Sequence, residues 1–417
     1  MKHSVTIEDP RCRGCTSCIK ACPMEAIRVR EKKARILDVR CVDCGICIRI
    51  CPHRAAIAES DGFGLMHKFH YSVALPEPAL YGQFHNMDDI DLILNGLQKI
   101  GFHKVFEVAR GAEYLSAEAR RRIQNEENKR FPQISSSCPA VMRLIQVRFP
   151  KLIDHLNPMI LPMEMAAIMA RREAVAETGL DPSDIGVFAI VPCSAKVTAV
   201  RESDGLEQTV LDGALAVRDV YIKLLSTMKQ VENIQPVTQA SIMGASWAYS
   251  GGESASLLGE STVAVDGIEN CVRMLEDIED GRIPDARFIE LSACVQGCVG
   301  GCLNVENPFV ARMRIRQLMR GLPVSREQFV LPEAERFLSL RNKQQAHLPG
   351  VLRMDDDRTV AFEKMRAAAM IEKQLPGLHC GSCGAPNCQA HAEDVVLGIA
   401  GLEDCVFLRD KNEKSES

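Results

Sequence analysis

The chain has 417 residues, a formal net charge of -5, 46% hydrophobic and 25% charged residues. At ~100 to 200 residues per domain this is a chain of two to four domains; the ordinary globular composition excludes wholesale disorder and fibrous architectures, and the acidic balance leaves no electrostatic footprint for nucleic acid. The outlying number is Cys 18 against one Trp and five Tyr, a load that demands disulfides, metal sites or both, with spacing deciding between them.

From the N-terminus, Met1 to Pro10 carry Lys2, His3, Glu8 and Asp9 and no apolar h-region. No stretch reaches ~18 uninterrupted apolar residues, so no membrane span is expected. The expectation is a cytoplasmic protein, whose reducing surroundings favour metal or redox cysteines over disulfides. Cys12, Cys15, Cys18 and Cys22 with Pro23 recur as Cys41, Cys44, Cys47 and Cys51 with Pro52. Each half reads C-x2-C-x2-C-x3-C-P, the spacing by which two-cluster bacterial ferredoxins hold 4Fe-4S cubanes. The two-residue gaps let one tight loop wrap three thiolates around a cube. The fourth cysteine is expected to open a short helix and ligate the other cluster, giving Cys12, Cys15, Cys18 and Cys51 for one and Cys41, Cys44, Cys47 and Cys22 for the other. Two adjacent zinc knuckles are the alternative for C-x2-C pairs.

From about Ser72 to Leu322, short apolar runs alternate with helical patterns, the signature of an α/β domain. Lys104 to Val108, Val187 to Val191 and Phe288 to Leu291 read as buried strands; Asp88 to Lys99, Pro139 to His155, Glu164 to Glu177 and Asp212 to Val231 read as helices. Cys138 follows the extended run Phe131 to Ile134 and precedes a helix with Pro139 in its first turn, while Cys193 and Cys294 each follow a strand. Ligands of open parallel sheets gather at the carboxyl ends of strands, so three distant segments are expected to converge on one cofactor.

At these residues the chain resembles a known family. SSSCPAV (Ser135 to Val141), VPCSAK (Val191 to Lys196) and ELSACVQGCVGG (Glu290 to Gly301) are similar to the three signature loops of the [FeFe]-hydrogenase catalytic domain, usually TSCCPxW, MPCxxKxxE and ExMACxxGCxxGG. The resemblance implies parallel sheets around a buried cofactor: a 4Fe-4S cubane on Cys138, Cys193, Cys294 and Cys298, bridged through Cys298 to a diiron subsite with CO, cyanide and a dithiolate. It also implies that Lys196 pairs with a cyanide of that subsite. Several positions depart from the pattern. Ser137 stands where the proton-relaying cysteine is usual, and a hydroxyl is far less acidic than a thiol of ordinary pKa ~8.5, so slow turnover is expected unless water or another acid takes over. Val191 and Ser292 replace methionines that pack on the subsite, and Ala199 replaces the acidic end of the second motif, with Glu202 off register. Cys271 and Cys302 match no family ligand and are expected to be buried free thiols.

Near the C-terminus, Cys380, Cys383, Cys388 and Cys405 read C-x2-C-x4-C-x16-C, with Gly381, Gly384 and Pro386 making a turn-rich loop and Gln389 to Ala400 a helical return. The pattern resembles the small helical cluster domain of corrinoid iron-sulfur proteins and of the B subunit of Rnf complexes, which implies one more 4Fe-4S cluster; a structural zinc fits the same thiolates. His379 and His391 are expected to face solvent.

The expected organisation is a ferredoxin-like α+β domain (1–62), a hydrogen-cluster α/β domain (63–345), a linker (346–358) leading to an amphipathic helix (Thr359 to Lys373), and a small helical 4Fe-4S domain (359–417), whose cluster is expected to be mobile for docking. The resemblance to sensory members implies slow or reversible dihydrogen oxidation in a sensing or redox-signalling role. The implied partners are dihydrogen, protons, hydrogenase maturation proteins and a redox partner such as ferredoxin or a signalling protein. The alternative is an electron-transfer or cluster-scaffold protein without the diiron subsite, like the Nar-type assembly factors.

Overall fold

The structure, a computed structural model, describes residues 3–125, 130–202, 209–259, 261–326 and 354–409. It divides into two compact units, one joining Met1–Ala58 to Pro349–Ser417, the other comprising Glu59–Leu348. The first and last of the expected domains thus share a unit; most of the expected linker lies outside the described residues.

In the first unit, strands β1 (Val5–Ile7), β2 (Ile27–Arg30), β3 (Lys33–Ile36) and β4 (Ala56–Ala58) form two antiparallel pairs, β1 with β4 and β2 with β3. The two cysteine runs fold alike. Each turns twice through left-handed backbone at corresponding positions, Gly14 and Thr16 in the first (φ 65° and 63°), Asp43 and Gly45 in the second (φ 51° and 73°). Each then enters a one-turn helix, Ser17–Ala21 or Ile46–Ile50. The fourth cysteine does not open this helix as expected but closes it: Cys22 and Cys51 are extended, with ψ 110° and 108°. Pro23 and Pro52 are the reason, since a proline ring bars helical backbone in the residue before it. Ile19, Ile27, Ala34 and Ala55 make the small core.

The C-terminal part of this unit has helices Arg358–Glu372 and Cys388–Val396, packed through Ala368, Leu375, Ala392 and Cys405. The second helix ends earlier than its pattern suggested, because Gly398 takes a left-handed φ of 70°.

The second unit holds β5 (Tyr71–Pro76), β6 (Lys104–Val105), β7 (Gln133–Ile134), β8 (Ile185–Val191), β9 (Gly213–Ala216), β10 (Thr262–Asp266) and β11 (Phe288–Ser292). They make two parallel sheets, β6-β5-β8-β9 and β10-β11-β7. β8 is buried at every residue, which is why it reads as an unbroken apolar run: a parallel strand is covered on both faces. Tyr81, Phe84, Leu94, Phe188 and Leu215 centre the core of the four-stranded sheet.

Three elements differ from expectation for local reasons. The strand at 104 stops at Val105, because the buried Glu107 carboxylate accepts backbone N–H groups of Gln239 and Ala240 at 2.5 and 2.9 Å and the chain then enters helix Val108–Gln124. The helix from Pro139 ends at Arg148, since Pro150 lacks the N–H to continue it. Residues 213–216 form a strand, not a helix start: pairing with Phe188–Val191 of β8 outweighs the helical pattern.

Candidate metal centre

Cys138 follows β7, Cys294 follows β11, and Cys193 and Glu77 follow β8 and β5. The carboxyl ends of the two parallel sheets thereby open on one cavity of about 660 Å³, walled by Cys138, Cys193, Cys294 and Cys298 together with Glu77, Lys196, Ser137, Glu253 and Glu290. Cys298 arrives on a single turn, Gly297–Gly300. That loop presses so closely on the Cys193 loop that a side chain at Gly301 would place its first carbon 2.1 Å from the Pro192 carbonyl oxygen.

Burial pushes the Cys193 thiol well up, and it pushes Cys298 up to about 11 even with the Lys196 ammonium opposing it. Such thiols ionise only against added positive charge, which is what iron bound to thiolates supplies. Lys196 is 3% exposed. Burial alone would lower its pKa, but the neighbouring Cys298 and Glu77 hold the ammonium charged, above its ordinary range. Its Nζ lies 2.6 Å from Glu77 Oε1 and 3.7 Å from Cys298 Sγ. A fixed cation beside Cys298 suits an anionic group in the cavity, and the four thiols with that cation fit an iron-sulfur cubane.

A second polar group sits across the cavity. The Ser135 and Ser137 hydroxyls donate to Glu253 Oε2 at 2.6 and 2.9 Å, and the two hydroxyl oxygens are 2.8 Å apart. Glu290 accepts the N–H groups of Gly251 and Ser254 at 2.9 and 2.8 Å. Both carboxyls are buried. Burial, then the charge of Glu290, raises the Glu253 carboxyl to about 8 despite the two serines. Glu290, held by backbone donors, is the better anion of the two, and Glu253 is the one that keeps a proton near neutrality.

Elsewhere in this unit, Ser292 borders the cavity, while Val191 and Ala199 are buried. Glu202 ends the helix Ser194–Glu202 and is not among the cavity's residues. Cys271 is buried, its thiol donating to the Ser292 carbonyl at 3.4 Å. Cys302 is half-buried, not fully buried as expected, with its sulfur 3.5 Å from Ser194 Oγ.

In the other unit, Cys12, Cys15, Cys18 and Cys51 line one cavity of about 360 Å³, and Cys22, Cys41, Cys44 and Cys47 a second of about 370 Å³. Burial raises the Cys383 thiol, and Cys405 and Cys380 are close enough to add to that rise; Cys388 begins the last helix. His379 is exposed and its Nδ1 accepts the Cys388 N–H at 3.1 Å. His391 is only 1% exposed, which corrects the expectation of a solvent-facing ring: it is buried in the last helix along with Ala390, Ala392 and Asp394.

Sequence reading missed Glu77 and Glu253 and named Glu290 only as the first residue of the third signature loop. Glu77 had a signal, an acid directly after an apolar strand and before Pro78, at the end of the strand that pairs with the one leading to Cys193. Glu253, within SGGESAS, had none, because its partners lie more than 100 residues away.

Known proteins show the same pattern. The family model described as "Iron only hydrogenase large subunit, C-terminal domain" matches residues 70–302, "4Fe-4S dicluster domain" matches 11–55, and a model for an Fe-S cluster matches 375–407. Iron hydrogenase 1 of Clostridium pasteurianum is 27% identical over 273 residues, 54% of this chain and 47% of its own length. The chain therefore spans about half the length of that relative. The periplasmic [Fe] hydrogenase large subunit of Nitratidesulfovibrio vulgaris is 24% identical over 364 residues, 72% of this chain and 86% of that one. Among solved structures, a variant of apo [FeFe]-hydrogenase HydA1 from Chlamydomonas reinhardtii aligns over 68% of this chain and 91% of its own, at 16% identity and a TM-score of 0.46. With the family model covering residues 70–302 and so more than half of the sequence, this chain belongs to the iron-only hydrogenase large-subunit family.

Proposed function

We propose that the protein binds dihydrogen and oxidises it slowly or reversibly to two protons and two electrons, in a hydrogen-sensing or redox-signalling role. The centre would be a 4Fe-4S cubane on Cys138, Cys193, Cys294 and Cys298 with a diiron subsite attached through Cys298. The observation that carries this reading is Lys196: a buried ammonium 3.7 Å from Cys298 Sγ, inside a cavity walled by four thiols. A buried charge is costly without partners, and Glu77 satisfies only one side of this one.

When bound, the cofactor supplies the coordination site and electron reservoir for splitting dihydrogen. Lys196 holds an anionic group of the cofactor, and Glu77 fixes the direction of Nζ. Pro78, Val108, Pro139, Pro162 and Trp247 line the cavity and restrict water. Ser137 Oγ faces the cavity and donates to Glu253 Oε2, so a proton leaving the site can pass through the hydroxyl to a carboxyl whose pKa of about 8 suits exchange near neutrality. Glu253 is thus the further acid that a serine in place of cysteine requires.

Electrons would run through the two cubane sites of the N-terminal repeat and the C-terminal site to a redox partner such as ferredoxin or a signalling protein. Maturation proteins would install the diiron subsite. A cytoplasmic setting suits so many reduced cysteines; among the described residues no helix is long and apolar enough to cross a membrane.

The test is infrared spectroscopy of protein matured anaerobically with hydrogenase maturation proteins. Carbonyl and cyanide bands are expected. Their absence from protein fully loaded with iron would replace this reading with an electron-transfer or scaffold role.

A further inference from the structure

We propose that the C-terminal cluster module is wired to one particular cluster of the N-terminal repeat, the one held by Cys12, Cys15, Cys18 and Cys51, and that a buried charge latch between β2 and the last helix keeps the connection closed. The proposal rests on the reading of these cysteines as 4Fe-4S ligands but not on a diiron subsite. It replaces the expectation of a mobile terminal cluster.

The argument begins with the alternation of β2. Side chains of a strand point to opposite faces in turn. Ile27 lines the cavity of Cys22, Cys41, Cys44 and Cys47, and Val29 lines that of Cys12, Cys15, Cys18 and Cys51. Arg28 and Arg30 face the other way, toward the C-terminal module. There Asp394 Oδ2 accepts from Arg28 Nε at 2.7 Å and from Arg30 Nη2 at 2.9 Å. Arg28 is 3% and Asp394 2% exposed, so neither charge has water to fall back on, and each depends on the other.

Further bonds seat the cysteine loop itself. Arg30 Nη1 donates to the Cys383 carbonyl at 2.6 Å, Lys20 Nζ donates to the carbonyls of His379 and Pro386, and Asn387 Nδ2 donates to Glu25 Oε1 at 2.5 Å. At the centre, the Val29 N–H donates to the Gly384 carbonyl at 2.8 Å. Gly384 has φ +82°, and a side chain there would begin 1.8 Å from the Val29 carbonyl oxygen; only glycine allows this approach. A covalent and hydrogen-bonded path therefore runs from Cys383 to Gly384, across one hydrogen bond to Val29, and through its side chain to the first cavity. Gly381 sits against Lys20 and then Ile19, the residues that follow Cys18 in the first one-turn helix.

The experiment uses the full chain, anaerobically loaded with iron and sulfide, reduced, and followed by electron paramagnetic resonance with iron analysis. The expected spectrum shows magnetic coupling beyond that between the two repeat clusters, and Cys405→Ala, which removes the terminal cluster, should abolish the extra splitting. Arg28→Gln with Asp394→Asn, which neutralises both charges together, should keep the iron content, abolish the splitting and raise amide hydrogen exchange at Val29 at least tenfold. Fully loaded wild-type protein that shows only uncoupled terminal signals would overturn the wire alone. Splitting and exchange unchanged in the double variant would overturn the latch. Iron missing from the C-terminal module of folded protein would overturn the cluster assignment and the wire with it.

Discussion

The cysteine sites of the two units are assembled by opposite rules. In the N-terminal repeat three ligands of each site sit within seven residues, on a loop whose left-handed turns at Gly14 and Thr16 are copied at Asp43 and Gly45. In the larger unit, Cys138, Cys193 and Cys294 are more than 50 residues apart and meet only because β7, β8 and β11 end at one place. A local site needs a loop; the distributed site needs two complete sheets. The first is therefore expected to respond to substitution one cluster at a time, the second all at once.

The sharpest contrast comes from removing one ligand on each side. Cys298→Ala should eliminate the carbonyl and cyanide bands of matured protein altogether, whereas Cys15→Ala should leave them and remove about four irons. Bands surviving in Cys298→Ala would break the distinction. Next in size is the buried pair beneath the cavity. Glu77→Ala leaves the Lys196 ammonium without its carboxylate and should cost roughly 3–5 kcal/mol in chemical denaturation of metal-free protein. Glu77→Leu combined with Lys196→Met should recover most of that loss, while metal loading would still fail in the distributed site alone.

A smaller effect is expected where the sequence departs from its family. Ser137→Cys should raise hydrogen turnover by on the order of 10-fold, since a thiol is the better proton carrier near neutrality; an unchanged rate would show that proton delivery to Glu253 is not limiting. A pH effect follows from the Glu253 carboxyl. Glu253 titrates at about 8 in the fold against an ordinary 4.5. Between these values the unfolded chain gives up its proton before the folded one, so this group lowers stability as pH rises through that window, and stability is greatest on its acid side. Glu253→Gln should flatten the melting temperature of metal-free protein between pH 5 and 8, and a slope identical to wild type would assign the dependence to other groups.

Much of this was legible in the sequence because its causes are local. The doubled cysteine run, the apolar run of β8 and Pro139 at a helix start each carry their own physical reason. The fourth cysteines were misread where a neighbour mattered more than the pattern: Pro23 and Pro52 hold Cys22 and Cys51 extended at the end of a turn. The strand at 213–216 was hidden because its ladder partner, β8, lies some 25 residues upstream and periodicity does not report pairing. Glu253 was invisible for the same kind of reason, and Glu290 showed only as the first residue of the third signature loop. A carboxyl announces itself chemically only through what surrounds it, and here that is backbone and hydroxyls from other segments.

The latch between Arg28 and Asp394 spans 366 positions of the chain. During synthesis the repeat precedes its counter-charge by that distance, so Arg28 and Arg30 both face water until Asp394 follows. Loading of the repeat by iron need not wait, but closure of that face must, since the carboxylate that pairs with Arg28 and Arg30 is that of Asp394. The repeat is thus finished only once residue 394 has been made, and a chain truncated before it would carry an open, cationic strand face.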